Sequence, residues 1–308
     1  MSMITRPMKA ETVKIETLGK VEWPAFCSPK IDGIRLLVHP ELGPVTQSFK
    51  PLPNHHVRDV ITALAYGSYL DGEVYAVSED GTALPASVFN ETQSVLMSRH
   101  GTPDFCYSVF DCFEHPEMDF AGRYVSTQNA VNKISSSRIR LLKHHVVETP
   151  EEFLDFVDVC IEQGYEGAVI RSFAGVYKSG RSTLGQGWML KYKNWVDAEG
   201  VVVGFEELHH NDNPDERSLL GLAKRSSHKA NKVAMGTLGA LIVKTAWGEL
   251  RLGSGFTAAQ RQYLWDRNVL MHFEGGAPDL GRAVTFKYQE HGMQDLPRFP
   301  IFLRFRED

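Results

Sequence analysis

The chain has 308 residues, 43% hydrophobic and 23% charged, a length that suits two globular domains better than one core or three. Its longest apolar runs, residues 201–203 and 240–243, fall far short of the roughly 20 residues of a membrane span. The first 16 residues mix Arg6, Lys9, Glu11, Lys14 and Glu16 with no apolar core like that of a secretory signal, so a cytoplasmic protein with no membrane partner is expected. A net charge of −5 argues weakly against nucleic acid as a partner, because that affinity comes mostly from Lys and Arg neutralising phosphates. Cysteines at 27, 106, 112 and 160 form no C-x-x-C pair, which points to reduced thiols rather than a zinc site.

In chain order, residues 33–39, 69–77, 105–113 and 167–171 read as strands bounded by turn residues. Between them, residues 54–66 place Val57, Val60, Ile61 and Leu64 on one helical face, and Thr149 with Pro150 opens a second helix through Cys160. The irregular alternation predicts an α+β domain of antiparallel sheets and helices. After residue 193, closely spaced strands at 201–203, 238–244, 250–253 and 283–288, with one helix at 257–268 capped by Thr257, predict a small all-β barrel such as an OB-fold. The expected domains are 1–195 and 196–308. Between 217 and 232 stand Arg217, Lys224, Arg225, Lys229 and Lys232, with His228 and no acidic residue. Charge alone favours a solvated loop over a phosphate-binding patch.

Five short segments carry chemistry. In Ser28-Pro29-Lys30-Ile31-Asp32-Gly33-Ile34-Arg35, the glycine allows close backbone approach to a phosphate and Arg35 can grip its oxygens. For Lys30 to attack, its amine must lose a proton, which burial or the charge of Arg35, Lys191 and Lys193 can promote. Glu73, in Leu70-Asp71-Gly72-Glu73, is suited to accept from ribose hydroxyls, and Phe110, before Asp111, offers a face for a purine. Glu166 precedes a buried strand where a metal ion can sit, and Lys191 and Lys193 share one strand face. Taken singly, each also fits a bland role: turn carboxylate, core Phe, surface Glu, solvated lysines.

Together and in this order they resemble the covalent nucleotidyltransferases, which include DNA ligases, RNA ligases and mRNA capping enzymes. Over nearly the whole chain the likeness is to minimal ATP-dependent DNA ligases of viruses, phages and bacteria. It extends through residues 48–51, 177–184, 224–229, 253–257 and 286–288 to the closing run 298–308. The resemblance implies an adenylation domain followed by an OB-fold that turns between steps, with a DNA-clamping insert near 206–236. It implies an enzyme that uses ATP and Mg²⁺ (or Mn²⁺) to seal 5′-phosphate/3′-hydroxyl nicks in duplex DNA, acting as a monomer. Lys30 takes AMP, Ser28 and Arg35 flank it in the nucleotide site, Glu73 holds the ribose and Phe110 the base. Glu166 holds the metal, Lys191 and Lys193 the phosphates, and Arg298 and Arg306 orient the leaving pyrophosphate. Lys50, Arg181, Lys224, Arg225, Lys229 and Lys232 face DNA.

One departure concerns Thr46-Gln47-Ser48-Phe49-Lys50, where these ligases usually carry Arg at the position of Gln47 and use it to hold the 5′-phosphate. Neutral Gln47 cannot make that bidentate contact, so weaker nick sensing or compensation by Lys50, Lys178 or Arg181 is expected. An RNA ligase or capping guanylyltransferase shares the lysine chemistry, but residues 253–257 and 298–306 look like DNA ligase. A non-catalytic DNA-end-binding module would not be expected to keep Lys30, Glu73, Glu166, Lys191 and Lys193 together. NAD⁺ is not the expected donor, since those ligases carry additional zinc-bearing segments.

Overall fold

The computed structural model describes residues 4–77, 88–212, 215–217, 223–225, 231–270 and 276–306. The chain divides into two compact units, Met1–Lys193 and Asn194–Asp308.

The first unit opens with short strands β1 (Met8–Lys9) and β2 (Glu11–Thr12), a 3-10 turn at Ile15–Lys20, then β3 (Ala25–Pro29), β4 (Ile34–His39) and β5 (Gly43–Thr46). Helix α1 (His55–Ala65), strand β6 (Leu70–Ala76), helix α2 (Val88–Leu96) and strand β7 (Phe105–Cys112) follow. Next come α3 (Phe120–Ile134), β8 (Ile139–Leu141), β9 (His145–Val147), α4 (Pro150–Glu162), β10 (Gly167–Arg171), β11 (Gly180–Arg181) and β12 (Met189–Lys193). They form two five-stranded sheets, ordered β5-β4-β6-β7-β8 and β2-β12-β10-β3-β9. Most ladders are antiparallel as expected, but β8 joins β7, β2 joins β12 and β1 joins β11 in parallel, so the sheets are mixed.

Local chemistry sets the helix ends. Asn54 Oδ1 accepts from Val57 N at 3.0 Å to cap α1, and Thr149 Oγ1 accepts from Glu152 N ahead of Pro150 in α4. Helix α3 was not anticipated, because its buried face carries Arg123 and Thr127 beside Phe120, Tyr124 and Val131 and so shows no clean apolar stripe. One core packs Leu36, Val38, Val57, Ile61, Val74 and Tyr107, and a second packs Ala25, Cys27, Phe153, Ala168, Ile170 and Leu190. All four cysteines are buried free thiols.

In the second unit, β13 (Val196–Asn211), β16 (Lys232–Thr245), β17 (Gly248–Leu252), β18 (Ala283–Gln289) and β19 (Arg298–Phe305) form one sheet, ordered β17-β16-β13-β18-β19. Helix α5 (Ala258–Trp265) stands between β17 and β18, started by a Thr257–Gln260 capping box and followed by a π turn at Asp266–Leu270. Phe302 N donates to Ser254 O at 2.9 Å, which links the stretch after β17 to β19 and brings the two edges of the sheet together. Val202, Leu241, Val243, Leu252, Val284 and Phe286 fill the interior. Beyond this sheet β13 and β16 continue as a two-stranded ribbon, with Asn211 opposite Lys232, and β14 (Asp215–Arg217) pairs with β15 (Ala223–Arg225) between them. Among the described residues no helix is long and apolar enough to cross a membrane.

Candidate active site

The site grows from the junction of β3 and β10. These strands run antiparallel, and past the end of β3 Lys30 N donates to Gly167 O at 2.9 Å while Glu166 N donates to Lys30 O at 3.1 Å. Two segments 136 residues apart are thereby joined through their main chains, and the Lys30 Nζ donates to Glu166 Oε2. Glu166 Oε1 is held by Lys193 from the adjacent strand β12, which pairs Lys193 with Gly167. Gly167 has φ +148, and a Cβ there would stand 2.2 Å from Tyr192 O, so only glycine allows β10 and β12 to meet at this level. Gly33 has a related role. A Cβ on it would meet Val74 O at 2.7 Å, so this glycine allows close contact with β6.

Opposite Lys30, β4 and β6 place Arg35 across from Glu73. Arg35 donates from Nε to Asp71 Oδ1 at 2.5 Å and from Nη2 to Asp71 Oδ2 at 2.6 Å, and Tyr177 OH donates to the same Oδ2 at 2.5 Å. The β6–β7 register slips between Asp71 and Gly72, which face Asp111 and Val109, so Phe110 is the bulged residue and turns towards the cavity. The Arg35 guanidinium lies 4.5 Å over its ring, so a purine on Phe110 would need the other face or a shifted arginine. Below it, Asp111 accepts from Arg123 Nε at 2.9 Å and from Arg171 Nη1 at 2.8 Å, all three fully buried. Sequence reasoning missed this network, and Asp111 in the quoted Phe110-Asp111 pair was its one visible sign.

A cavity of about 330 Å³ gathers Ser28, Lys30, Arg35, Glu73, Phe110 and Lys191 around its wall. Arg181 lines it too, as do Gln47, Lys9, His144 and Arg171, of which only Gln47 was singled out beforehand. Lys193 and Glu166 sit just behind the wall as the ion pair with Lys30. Lys50 is not on the wall; its carbonyl accepts from Thr46 N in a turn. Lys178 donates to Gln186 at 2.9 Å. In the second unit, Arg306 Nη1 contacts both Glu199 oxygens, at 2.8 and 3.0 Å, and Arg298 Nη1 donates to His291 O at 3.2 Å. Lys232 is exposed at the start of β16, Lys224 and Arg225 lie on β15, and Lys229 falls outside the described residues.

The electrostatics correct one expectation. Burial favours a neutral Lys30, but Glu166, Glu73 and Asp32 outweigh it and raise the ammonium above its ordinary range. The depressed lysine is Lys191, lowered by burial and then by Lys193, Lys30 and Arg181. Burial pushes Glu73 up to about 7 despite Lys30 and Arg35, while Glu166 stays low because Lys30 and Lys193 overcome its desolvation. No cluster of three or more candidate metal ligands occurs among the described residues. A lone hard carboxylate such as Glu166 still suits Mg²⁺, which is commonly held by one or two carboxylates plus substrate phosphates.

A lysine-bearing cavity between two mixed sheets, in a unit followed by a five-stranded barrel with one helix, defines an adenylation domain joined to an OB-fold. The chain belongs to the ATP-dependent DNA ligase family: residues 7–193 match the ATP dependent DNA ligase domain, and residues 231–306 match the DNA ligase OB-like domain. It is 26% identical to a DNA ligase of Archaeoglobus fulgidus, over 94% of this chain and 51% of that protein, so it spans about half the length of this relative. Chlorella virus DNA ligase-adenylate is similar over 99% of both chains, with 28% identity and a TM-score of 0.54. A Lig E DNA ligase shares the fold over 99% of this chain and all of its own, at 20% identity and a TM-score of 0.70.

Proposed function

We propose that the chain seals nicks in duplex DNA with ATP, through AMP carried on Lys30. The observation that supports this best is that Lys30, tied to Glu166 and through it to Lys193, stands on one cavity wall with Arg35, Glu73, Phe110 and Lys191. Lys30 Nζ, once deprotonated, bonds to the α-phosphorus of ATP as the bond to pyrophosphate breaks. The 5′-phosphate of the nick then takes AMP from Lys30, and the 3′-hydroxyl attacks that phosphate and releases AMP. Chain groups position the reactants and offset charge on each phosphoryl centre. Lys191 and Lys193 hold phosphates, Ser28 lines the nucleotide site, Glu73 receives the ribose and Phe110 the base. Arg298 and Arg306 orient the pyrophosphate. Glu166 would hold Mg²⁺ or Mn²⁺, which screens phosphate charge. Arg181, Lys50, Lys224, Arg225, Lys229 and Lys232 meet the DNA. The protein acts as a monomer in the cytoplasm.

The test is incubation with labelled ATP or GTP, followed by a nicked duplex carrying DNA or RNA on either side. Covalent label from ATP and closure of the all-DNA nick are expected. Label from GTP alone would mean a capping enzyme, closure of RNA nicks alone an RNA ligase, and no label with retained DNA binding a non-catalytic module.

A further inference from the structure

The end of the cavity away from Lys30 holds polar groups that the reaction above does not use. Along β10, Gly167 stands beside Lys30, Val169 opposite Ser28 and Arg171 opposite Phe26. Val169 and Arg171 share a strand face, and Arg171 lies four residues, roughly 13 Å, beyond the Lys30 level. His144 lines the same cavity, its ring edge-on at 6.3 Å to Phe26, the residue opposite Arg171. Each side chain keeps one buried polar atom, Arg171 Nη2 and His144 Nε2, that finds no hydrogen-bond partner among the described residues.

Their chemical signs are fixed. Arg171 Nη1 is committed to Asp111, and Nη2 can only donate. His144 Nδ1 lies 3.1 Å from the Leu142 carbonyl, which only accepts, so Nδ1 carries the proton. Burial, reinforced by Arg171, pushes His144 down to about 3, leaving a neutral ring with Nε2 as a bare acceptor. Buried polar atoms of native proteins are nearly always paired, so an acceptor and a donor left over in one cavity await a ligand that presents the complementary pair.

We infer that His144 and Arg171 read the edge of the purine: His144 accepts from a 6-amino group and Arg171 donates to a neighbouring ring nitrogen, selecting adenine over guanine. Guanine carries a carbonyl oxygen at C6, which would face the His144 lone pair. The inference rests on the ligase reading, which puts the base beside Phe110, within 5.7 Å of the Arg171 guanidinium. The rival role for His144 is packing, since its ring stands edge-on to Phe120 at 5.1 Å and Tyr124 at 4.8 Å.

The test compares ATP, GTP and purine riboside triphosphate, which lacks the 6-amino group, in covalent labelling and in calorimetric binding to the full chain with Mg²⁺. The wild type should prefer ATP to purine riboside triphosphate by roughly tenfold or more, as loss of one buried hydrogen bond implies. His144→Phe keeps an aromatic ring but no acceptor and should bring that ratio to about one; His144→Gln, which retains an acceptor oxygen, should recover part of it. An unchanged ratio in His144→Phe assigns the histidine to packing and overturns the inference. If His144→Phe fails to fold, the wild-type ratio decides, and equal use of the two triphosphates overturns it. Preferential binding of ATP with no covalent label would sink the ligase reading and leave the inference standing.

Discussion

Lys30 is an ammonium favoured by nearby carboxylates, the reverse of the free amine that the proposed attack on ATP needs. The sequence motif singles out the residue but not its charge state, because Glu166 and Glu73 reach it from segments far along the chain. Glu73 yields a direct check. Its folded pKa, about 7, stands above the ordinary 4.5, so its contribution to stability is fully present below about pH 4.5 and is lost as pH rises to 7. Glu73→Gln removes that loss, and its melting temperature relative to wild type should rise from pH 4.5 to 7 and level off above. A difference that stays flat over this range would contradict a buried, raised carboxyl. Gln47 offers a second check, since it lines the cavity with Lys9 and Arg181, whereas Lys178 is engaged by Gln186. Gln47→Arg should tighten binding to a 5′-phosphate nick by about tenfold or more, the worth of one charge-assisted contact, and leave a 5′-hydroxyl nick unchanged. Equal tightening on both, titrated at one salt concentration, would mean that residue 47 does not face the phosphate.

Among the helices, α2 and α3 were not anticipated from the sequence. Helices α1, α4 and α5 followed from their caps and spacing. Helix α3 did not, because it buries Arg123 for Asp111, a partner supplied by β7. Asp111→Asn should therefore cost about 3 to 5 kcal/mol in a denaturant titration, the usual penalty for leaving buried charges unpaired. A loss below about 1 kcal/mol would show that the two arginines find other partners. The ribbon of β13 and β16 carries the second prediction at this scale. Replacing Lys224, Arg225, Lys229 and Lys232 by Ala should lower the slope of log affinity against log salt by about 3 to 4, while Lys30 labelling continues. An unchanged slope would make this segment a solvated loop. Its strand register places Glu216 opposite Lys224 and Asp215 opposite Arg225, so acidic residues flank the basic ones more closely than the sequence order suggested.

For the whole molecule, length pointed to two domains and the ordered motifs pointed to a family. A chain of net charge −5 still concentrates lysine and arginine around one cavity, which an overall charge does not reveal. Geometry added Lys9, His144 and Arg171 to that cavity, and it makes Lys191 the alternative to test beside Lys30, since Lys191 lines the same wall and burial with neighbouring cations lowers its hold on its proton. The most direct measurement is peptide mass spectrometry of the protein after incubation with ATP and Mg²⁺, beside Lys30→Ala. The expected result is one AMP adduct, on the peptide containing Lys30, absent from Lys30→Ala even though that variant still joins a pre-adenylylated nick. AMP on Lys191, or an adduct that persists in Lys30→Ala, would contradict it.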